Sequence, residues 1–151
     1  MQSFPMKYLS AGALFFNEEG GILVVKPTYK GGWEIPGGIV EQDESPVQAC
    51  SREIREELGL EIPVASLLVV DHVVRRLGPS DSLQMVFAGG TLTREQIAAI
   101  RLPAAELAEY QFAAPDVALR LLPESLSRRV AGCLRALAES RTLLLHDGIE
   151  E

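Results

Sequence analysis

Lysine is scarce in this chain of 151 residues: the sequence contains only Lys7, Lys26 and Lys30, and its 21 acidic residues outnumber its 14 basic ones. The resulting net charge of −7 argues against a general affinity for nucleic-acid backbones, which are bound by clusters of lysine and arginine. A small anionic substrate is compatible with this charge, because a metal ion and a few local cations attract it against a negative overall field. We therefore expect a small-molecule partner and no nucleic-acid partner.

Long apolar runs and cysteines are also scarce. No run reaches the roughly 18 apolar residues that a membrane-spanning helix needs, and no signal-peptide pattern precedes the first strand-like segment. We therefore expect a cytoplasmic protein without membrane contact. Cys50 and Cys133 are the only cysteines, and each lies among apolar residues in a helical pattern, as buried free thiols commonly do. A disulfide is not expected in that compartment.

Length and composition predict one domain spanning residues 1–151. A hydrophobic content of 47% is enough for a chain of this length to bury its own core. The two ends, about 1–7 and 141–151, are expected to be flexible. The apolar segment 143–145 is predicted to pack either against the body of the domain or against a second subunit, so the sequence is compatible with a monomer or a homodimer.

Apolar runs separated by turn residues predict an α/β fold. The segment 93–100 is ambiguous, and a late helix is expected because apolar residues recur there at helical spacing, with Val130, Leu134 and Leu137 on one side. Strands separated by one early helix and followed by this late one predict a mixed sheet between helices. Strands are expected at 8–16, 21–25, 33–38, 64–76, 83–88 and 109–113, and the late helix at 127–138.

The early helix has clear start and stop signals. Ser45, Pro46 and Gln48 form a capping box with proline at the first helical position, so the helix is predicted to begin here. It should run towards Leu58 and end at Gly59. An apolar stripe faces the core along this helix: Val47, Cys50, Ile54 and Leu58.

Three glutamates, Glu53, Glu56 and Glu57, lie three and four residues apart and therefore share another face of the helix. Like charges at this spacing destabilise a helix by about 0.2–0.5 kcal/mol per pair, unless a cation lies among them. Mg²⁺ takes oxygen ligands and binds through one or two carboxylates together with substrate phosphates. A glutamate-rich helix face is more often simply solvated, so the surrounding residues have to decide between the two interpretations.

The surrounding residues form a longer pattern over residues 38–60, which reads GIVEQDESPVQACSREIREELGL. Chance would produce these identities on the order of once in a billion starting positions at average amino-acid usage. The pattern resembles the complete Nudix box, and the chain is identified as a member of the Nudix hydrolase family, the MutT-related pyrophosphohydrolases. Its matching positions are Gly38, Glu44, Arg52, Glu53, Ile54, Glu56, Glu57, Gly59 and Leu60.

The resemblance implies a Nudix-type α/β/α sandwich and specific roles within the box. In the family, one to three Mg²⁺ or Mn²⁺ ions are held by the glutamates that correspond to Glu53, Glu56 and Glu57, with the carbonyl of Gly38 as a further ligand. Arg52 and Glu44 correspond to a supporting ion pair that holds the carboxylates in place.

The reaction implied by the resemblance is attack of water on a phosphorus atom of a diphosphate linkage, with metal ions neutralising the phosphate oxygens. The general base is a carboxylate, which in some relatives corresponds to Glu53 and in others lies in a distal loop. Distal candidates here are Glu106 and Glu109, with Asp116 less favoured. Many relatives have an Asp-Glu pair where this chain has Asp116 followed by Val117, so the base remains open.

The segment before the box supplies candidate substrate-binding residues. An aromatic ring there would stack on a base and a lysine would contact phosphate, although Trp33 is equally suited to anchoring the core. Arg75 and Arg76 are also able to reach phosphates, but such a pair is more often solvent-exposed, and His72 is expected to be a strand residue. The four candidates before the box are Lys26, Tyr29, Lys30 and Trp33.

The substrate is less constrained than the reaction. Marks of the ADP-ribose and dinucleoside polyphosphate groups are absent, since Pro79 lies late and Leu77 stands where a tyrosine is common. We expect hydrolysis of a nucleoside triphosphate to the monophosphate and pyrophosphate, with ADP-ribose or a nucleotide sugar as the alternative. A nucleotide-sensing module without turnover is the alternative of another class. A prenyl diphosphate stays open, whereas a highly phosphorylated inositol would need more lysines.

Overall fold

The computed structural model describes residues 3–75 and 80–151. Within them one sheet contains eight strands, and seven of these follow the spatial order β6-β2-β1-β5-β4-β7-β8, while β3 pairs with β1. The strands are β1 Tyr8–Phe16, β2 Ile22–Pro27, β3 Gly37–Ile39, β4 Leu67–Val73, β5 Ser82–Thr91, β6 Leu107–Ala113, β7 Leu143–His146 and β8 Ile149–Glu150.

The sheet is mixed. The pairs β1–β5 and β4–β7 are parallel, whereas β1–β2, β1–β3, β2–β6, β4–β5 and β7–β8 are antiparallel. Strands β1 and β2 form a hairpin, and in its turn Asn17 Oδ1 accepts the Gly21 N–H at 2.7 Å. The described helices are α1 Pro46–Leu58, α2 Arg94–Ala98, α3 Pro115–Leu121 and α4 Glu124–Glu139.

Each face of the sheet buries its own hydrophobic core. On one face, Ala11, Phe15 and Val25 pack with Cys50 and Ile54 of α1. On the other face the core contains residues from β1, β2, β4 and β7 together with α3 and α4: Leu14, Val24, Val69, Ala118, Val130, Cys133 and Leu145 are among them. The alternation of side chains along each strand sends successive residues to opposite faces. The predicted α/β/α sandwich with a mixed sheet is therefore confirmed.

Helix α1 begins and ends where the sequence predicts. Ser45 Oγ accepts the Gln48 N–H, and Gln48 Oε1 accepts the Ser45 N–H, which completes the capping box. Gly59 ends the helix with φ of 71°, a left-handed conformation that glycine adopts without strain. Both cysteines are buried free thiols, as predicted.

The predicted burial of two residues in the apolar stripes is wrong. Val47 is 47% exposed, because the buried face of α1 runs through Ala49, Cys50 and Ile54 instead. Leu137 is 41% exposed, because Cys133 and Ala136 occupy the buried positions at that end of α4.

Several element boundaries also differ from the sequence prediction. The third strand is later than 33–38, and only Glu34 of the earlier part pairs, through a bridge to Val25. The ambiguous segment contains helix α2, and α3 was not predicted at all. Strand β4 covers only Leu67–Val73 of the predicted 64–76: residues 64–66 and 74–75 are not in a strand, and Arg76 and the connection through 78–79 lie outside the described residues.

The expectation of a flexible segment at 141–151 is wrong. Strand β7 pairs in parallel with β4, placing Leu143 opposite Val69 and His146 opposite His72. Leu143 and Leu145 are buried against the body of the domain, whereas Leu144 faces outward at 59% exposure. The three leucines thus form a strand in which buried and exposed side chains alternate. This alternation is not visible in the sequence, because all three residues are apolar. At the other end, residues 3–7 are exposed and form no regular element.

Among the described residues, none of the helices combines the length and the apolar content that are needed to cross a membrane.

Candidate active site

Arg52 is the centre of an ion-pair network at the box. Its Nε donates to Glu44 Oε2 at 2.7 Å and its Nη2 donates to Glu44 Oε1 at 3.0 Å. This two-pronged contact matches the planar fork of a guanidinium to a carboxylate. The Arg52 guanidinium, and then the Glu41 N–H, lower the pKa of Glu44 to about 2. The pair predicted from the sequence is therefore formed in the structure.

The same guanidinium reaches the other box residues. Arg52 Nη1 donates to Glu53 Oε1 at 2.9 Å and to Glu56 Oε2 at 3.2 Å, and Nη2 donates to the Ile39 carbonyl at 3.1 Å. One side chain thus connects the loop before α1, strand β3 and two of the three glutamates. Contact with Glu44 raises the pKa of Arg52 further above its ordinary value, so it remains charged.

Glu57 is the buried carboxylate of the site, with 8% exposure. Its Oε1 accepts the Gly37 N–H at 3.1 Å. Burial raises the pKa of Glu57 well above its ordinary value, because the charged form loses hydration. The Gly37 N–H opposes this effect, and the neighbouring Glu53 carboxylate adds to it.

Two glycines let the backbone approach these carboxylates closely. A Cβ on Gly38 would lie 2.5 Å from Glu53 Oε1, and a Cβ on Gly37 would lie 2.5 Å from the Gly12 Cα. A side chain at Gly37 would collide with backbone, and a side chain at Gly38 would force the Glu53 carboxylate to move. The glycine pair therefore fits β3 between strand β1 and the glutamates of α1.

The donor set has the chemistry of a site for a hard divalent cation. Glu53, Glu56 and Glu57, with the Gly38 carbonyl, offer only oxygen ligands, as Mg²⁺ and Mn²⁺ prefer. In the present arrangement these carboxylates contact protein donors instead: Glu53 and Glu56 contact Arg52, and Glu57 contacts the Gly37 N–H. Accordingly, no three acidic, histidine or cysteine side chains of residues 3–75 and 80–151 are arranged around a common metal position.

A cleft of about 320 Å³ opens beside the box. Gly37 and Gly38 form one side of it, and Leu126 and Arg129 of α4 form another. Its size is at the lower end of the usual range for small-molecule sites. The remaining lining residues come mainly from β1, β5 and the segment before the box: Tyr8, Ser10, Gly12, Tyr29, Lys30, Glu34, Ile35, Pro36, Ile39, Gln84, Met85 and Val86.

Two of the four predicted substrate-binding residues line this cleft. Tyr29 is 72% exposed at its edge. Lys30 forms an ion pair with Glu34, and this contact raises the pKa of Lys30 above its ordinary value. Lys26 instead lies with its Nζ 5.8 Å from the centroid of the Trp33 ring, and Trp33 packs partly buried against the core beside α4.

The distal carboxylates lie elsewhere in the fold. Glu106 is exposed in the turn before β6, where its backbone carbonyl accepts the Thr28 N–H at 2.9 Å. Glu109 lies opposite Lys26 on β6, the strand at the edge of the sheet. Asp116 is exposed in the first turn of α3. The box itself pairs with β1, and β2 lies between β1 and β6.

Arg75 and His72 both contact other side chains of the protein. Arg75 Nη1 donates to the Tyr8 hydroxyl at 2.6 Å, and the Arg75 backbone N–H donates to Asp81. His72 lies on β4, as predicted, with its Nδ1 3.2 Å from His146 Nδ1. The other predicted phosphate contact, Arg76, lies outside the described residues.

Sequence reasoning missed Arg129. It lines the cleft from α4 and is 9% exposed, and its Nε donates to the buried Asp71 at 2.9 Å. A signal was present in the sequence, because Arg129 shares a helix face with the apolar Cys133. A charged residue on an apolar stripe is rarely buried without a partner.

Comparison with known proteins agrees with this geometry. The family model described as the NUDIX domain matches residues 6–137. The chain is 35% identical over 63 residues to a "MutT-like protein" of Streptomyces ambofaciens, covering 42% of this chain and 41% of that one. It is 40% identical over 52 residues to an RNA pyrophosphohydrolase of Hydrogenovibrio crunogenus, covering 34% and 32%. The matches thus span less than half the length of these curated relatives.

A solved structure resembles the whole fold. The MutT protein of Methanosarcina mazei Go1 superposes with a TM-score of 0.73 at 24% identity, covering 93% of this chain and 100% of the other. At this identity the superposition shows the fold alone. Taken with the intact box and the family match over most of the sequence, it supports one conclusion: the chain belongs to the NUDIX domain family.

Proposed function

We propose that the protein is a metal-dependent pyrophosphohydrolase that cleaves a diphosphate linkage of a nucleotide. The observation that carries this proposal is that Glu53 and Glu57 contact Gly38 and Gly37, which line a cleft, while Arg52 braces Glu53 and Glu56. Such a cluster of oxygen donors next to a small-molecule cleft suits phosphate chemistry. The family membership and the named pyrophosphohydrolase relative support the same reaction class.

Each group of the site has a distinct proposed role. Mg²⁺ or Mn²⁺, held by Glu53, Glu56, Glu57 and the Gly38 carbonyl, would neutralise the phosphate oxygens and lower the pKa of bound water. Arg52 and Glu44 keep the carboxylates in position and do not touch the reacting atoms. Lys30 and Tyr29 contact the substrate at the edge of the cleft, through its phosphate and its base respectively.

We favour Glu53 over Glu106 and Glu109 as the general base. Glu53 lies against Gly38, which forms part of the cleft wall. A general base must come within hydrogen-bonding reach of the water whose proton it takes, directly or through one further water. Neither Glu106 nor Glu109 lines the cleft, and Glu109 lies on β6 beyond β2, although the Glu106 carbonyl accepts the N–H of Thr28, the neighbour of the cleft residue Tyr29.

We propose a nucleoside triphosphate as the substrate, which is converted to the monophosphate and pyrophosphate. The cleft supports a nucleotide because it combines aromatic and apolar residues with a few polar groups, as nucleotide sites usually do. ADP-ribose or a nucleotide sugar remains the alternative, since both carry the same diphosphate linkage.

Chromatographic identification of the products, together with release of pyrophosphate, tests this proposal, because ADP-ribose and nucleotide sugars are hydrolysed to two phosphomonoesters without releasing inorganic phosphate. We would assay nucleoside triphosphates, ADP-ribose, nucleotide sugars, dinucleoside polyphosphates and a short RNA with a 5′-triphosphate, each with Mg²⁺ and with Mn²⁺. Glu57→Gln serves as the inactive variant, and Glu61→Gln, at an exposed residue beyond the end of α1, serves as the matched control.

The expected result is metal-dependent turnover of one nucleotide class by the native protein and Glu61→Gln, and its loss in Glu57→Gln. Turnover that persists in Glu57→Gln would overturn the assignment of the site. Binding of a nucleotide without turnover of any compound would favour a sensing module instead.

A further inference from the structure

A buried ion pair lies outside the box. Asp71 on β4 is fully buried, and its Oδ2 accepts the Arg129 Nε–H at 2.9 Å. Its second oxygen, Oδ1, accepts the Gly148 N–H at 2.9 Å. Gly148 lies in the turn between β7 and β8. The orientation of Arg129 therefore depends on a hairpin that lies beyond residues 6–137, the part matched by the family model.

The free end of Arg129 faces the cleft. A guanidinium carries five N–H donors, and only the single one on Nε is used by Asp71. The two terminal nitrogens make no hydrogen bond to any described residue, and no buried side-chain nitrogen or oxygen in the described chain lacks a partner. The terminal nitrogens are therefore accessible from the cleft that Arg129 lines.

The local charges favour a neutral ligand group over a phosphate. At the position of Arg129, Asp71 already compensates the positive charge through the buried ion pair. An arginine held in this way presents two parallel donors rather than an excess of positive charge. Such a fork fits two neighbouring acceptors on one edge of a ring, and the O6 and N7 atoms of guanine are the commonest example.

The neighbouring walls suit a flat ring. Ile35, Val86 and Leu126 line the same cleft, and their apolar side chains provide the contact that ring faces require. We propose that Arg129 is a substrate-binding residue that selects a nucleobase with paired acceptors, as in guanine, and that Asp71 is the positioning residue that links it to the β7–β8 hairpin. This inference rests on the proposed function for its substrate class.

The first test is a binding measurement, which does not depend on turnover. Isothermal titration of the native protein with GMP, AMP and 7-deaza-GMP, which lacks the N7 acceptor, compares the three bases with one phosphate. One good fork contact is expected to favour GMP over AMP by about 5- to 100-fold. Loss of N7 should remove about tenfold of this preference. Equal affinity for all three, or no binding of any, would overturn the inference.

Substitution of Arg129 tests whether this residue causes the preference for GMP over AMP. Arg129→Lys keeps the charge beside Asp71 but loses the fork, so GMP and AMP are expected to bind with similar affinity. Arg135→Lys, on the same helix but not in the cleft, should leave the preference unchanged. If Arg129→Lys weakens GMP and AMP equally, Arg129 contacts the phosphate, and the proposed base selection is wrong. The 7-deaza comparison needs no variant and stands even if Arg129→Lys fails to fold.

The role of Asp71 requires a separate readout. Asp71→Asn should raise KM for GTP while kcat stays within about twofold, because the loosened arginine affects binding and not the box. A parallel fall in kcat, or an unchanged KM, would contradict a positioning role. The two proposals are also separable: turnover without base preference removes only this inference, whereas base-selective binding without turnover removes only the proposed hydrolase.

Discussion

The Glu53 carboxylate lies directly on the Cα of Gly38, leaving no room for a methyl group between them. A Cβ at Gly38 would come within 2.5 Å of Glu53 Oε1 and 2.6 Å of Glu53 Cδ. The position of this carboxylate therefore depends on the absence of a side chain at Gly38 of β3, as well as on helix α1, which carries Glu53.

This contact predicts the effect of Gly38→Ala. The added methyl should displace Glu53 by part of an ångström or more, and a misplacement of that size near the reacting atoms costs on the order of 100-fold in activity. Gly31→Ala is the control, because nothing lies within 4 Å of a Cβ there. Steady-state kinetics of both variants, with circular dichroism to confirm folding, measures the effect. Equal activity of both variants would mean that Glu53 is not needed in its present position.

The fork of Arg52 predicts the outcome of Arg52→Lys. A lysine keeps one charge but cannot hold Glu44 through two parallel bonds while also reaching Glu53. Partners that orient metal ligands typically contribute 10- to 100-fold, about the loss we expect in apparent metal affinity. Titration of activity with Mn²⁺ measures this, with Arg55→Lys as the control because Arg55 is half-exposed and pairs with Glu61. An unchanged metal requirement would show that the fork has no orienting role.

Glu44 predicts a dependence of stability on pH. Its pKa is depressed from 4.5 to about 2 in the folded protein, so the unfolded chain binds the proton more tightly. The stabilisation is therefore present above pH 4.5 and is lost as the pH falls from 4.5 towards 2. Glu44→Gln should be less stable than the native protein at pH 6, and this difference should shrink at pH 3.5.

Urea unfolding at the two pH values measures the difference, and Glu61→Gln is the matched control at an exposed glutamate. A difference between the native protein and Glu44→Gln that is the same at both values would contradict the assigned ion pair.

Replacing each candidate base by glutamine tests the choice between them. If Glu53 takes the proton, Glu53→Gln should lose at least about 100-fold in kcat. Glu106→Gln and Glu109→Gln, at exposed positions that do not line the cleft, should retain most of the activity. A large loss in either distal variant would move the role of base away from the box.

The ordered segment after α4 predicts opposite effects for two adjacent leucines. Leu145→Ala should destabilise the protein by about 2–5 kcal/mol, as expected for a buried leucine in a packed core. Leu144→Ala, at an exposed position of the same strand, should change stability by no more than about 0.5 kcal/mol. Chemical denaturation of both variants makes the comparison, and similar effects would show that the strand is not packed as described.

The parts of the structure that the sequence predicted are those with local signals. The start of α1 depends on Ser45 and Gln48, which are three residues apart, and its end depends on Gly59 alone. The ion pair of Arg52 with Glu44 was also predicted, because both residues lie within one short pattern.

The parts that the sequence did not predict depend on contacts between distant segments. The burial of Leu143 follows from its position beside Val69, and the placement of Arg129 follows from its contact with Asp71. Periodicity within a short window contains no information about such pairs. For the same reason the sequence grouped Lys26 with Tyr29 and Lys30, although only Tyr29 and Lys30 line the cleft.

The two parallel strand pairs have a consequence for how the protein folds. Strand β1 pairs with β5 and β4 pairs with β7 through residues that are about seventy positions apart in the chain, such as Tyr8 with Ser82 and Val69 with Leu143. Contacts of such long range require large loops to close before they contribute, so mixed α/β domains rich in them fold more slowly than helical bundles. Helix α1, which carries the glutamates, needs no such closure to begin forming, whereas the contact between Asp71 and Gly148 requires the β4–β7 pair. During refolding, the box helix should therefore gain protection from hydrogen exchange before the cleft acquires its ordered arginine.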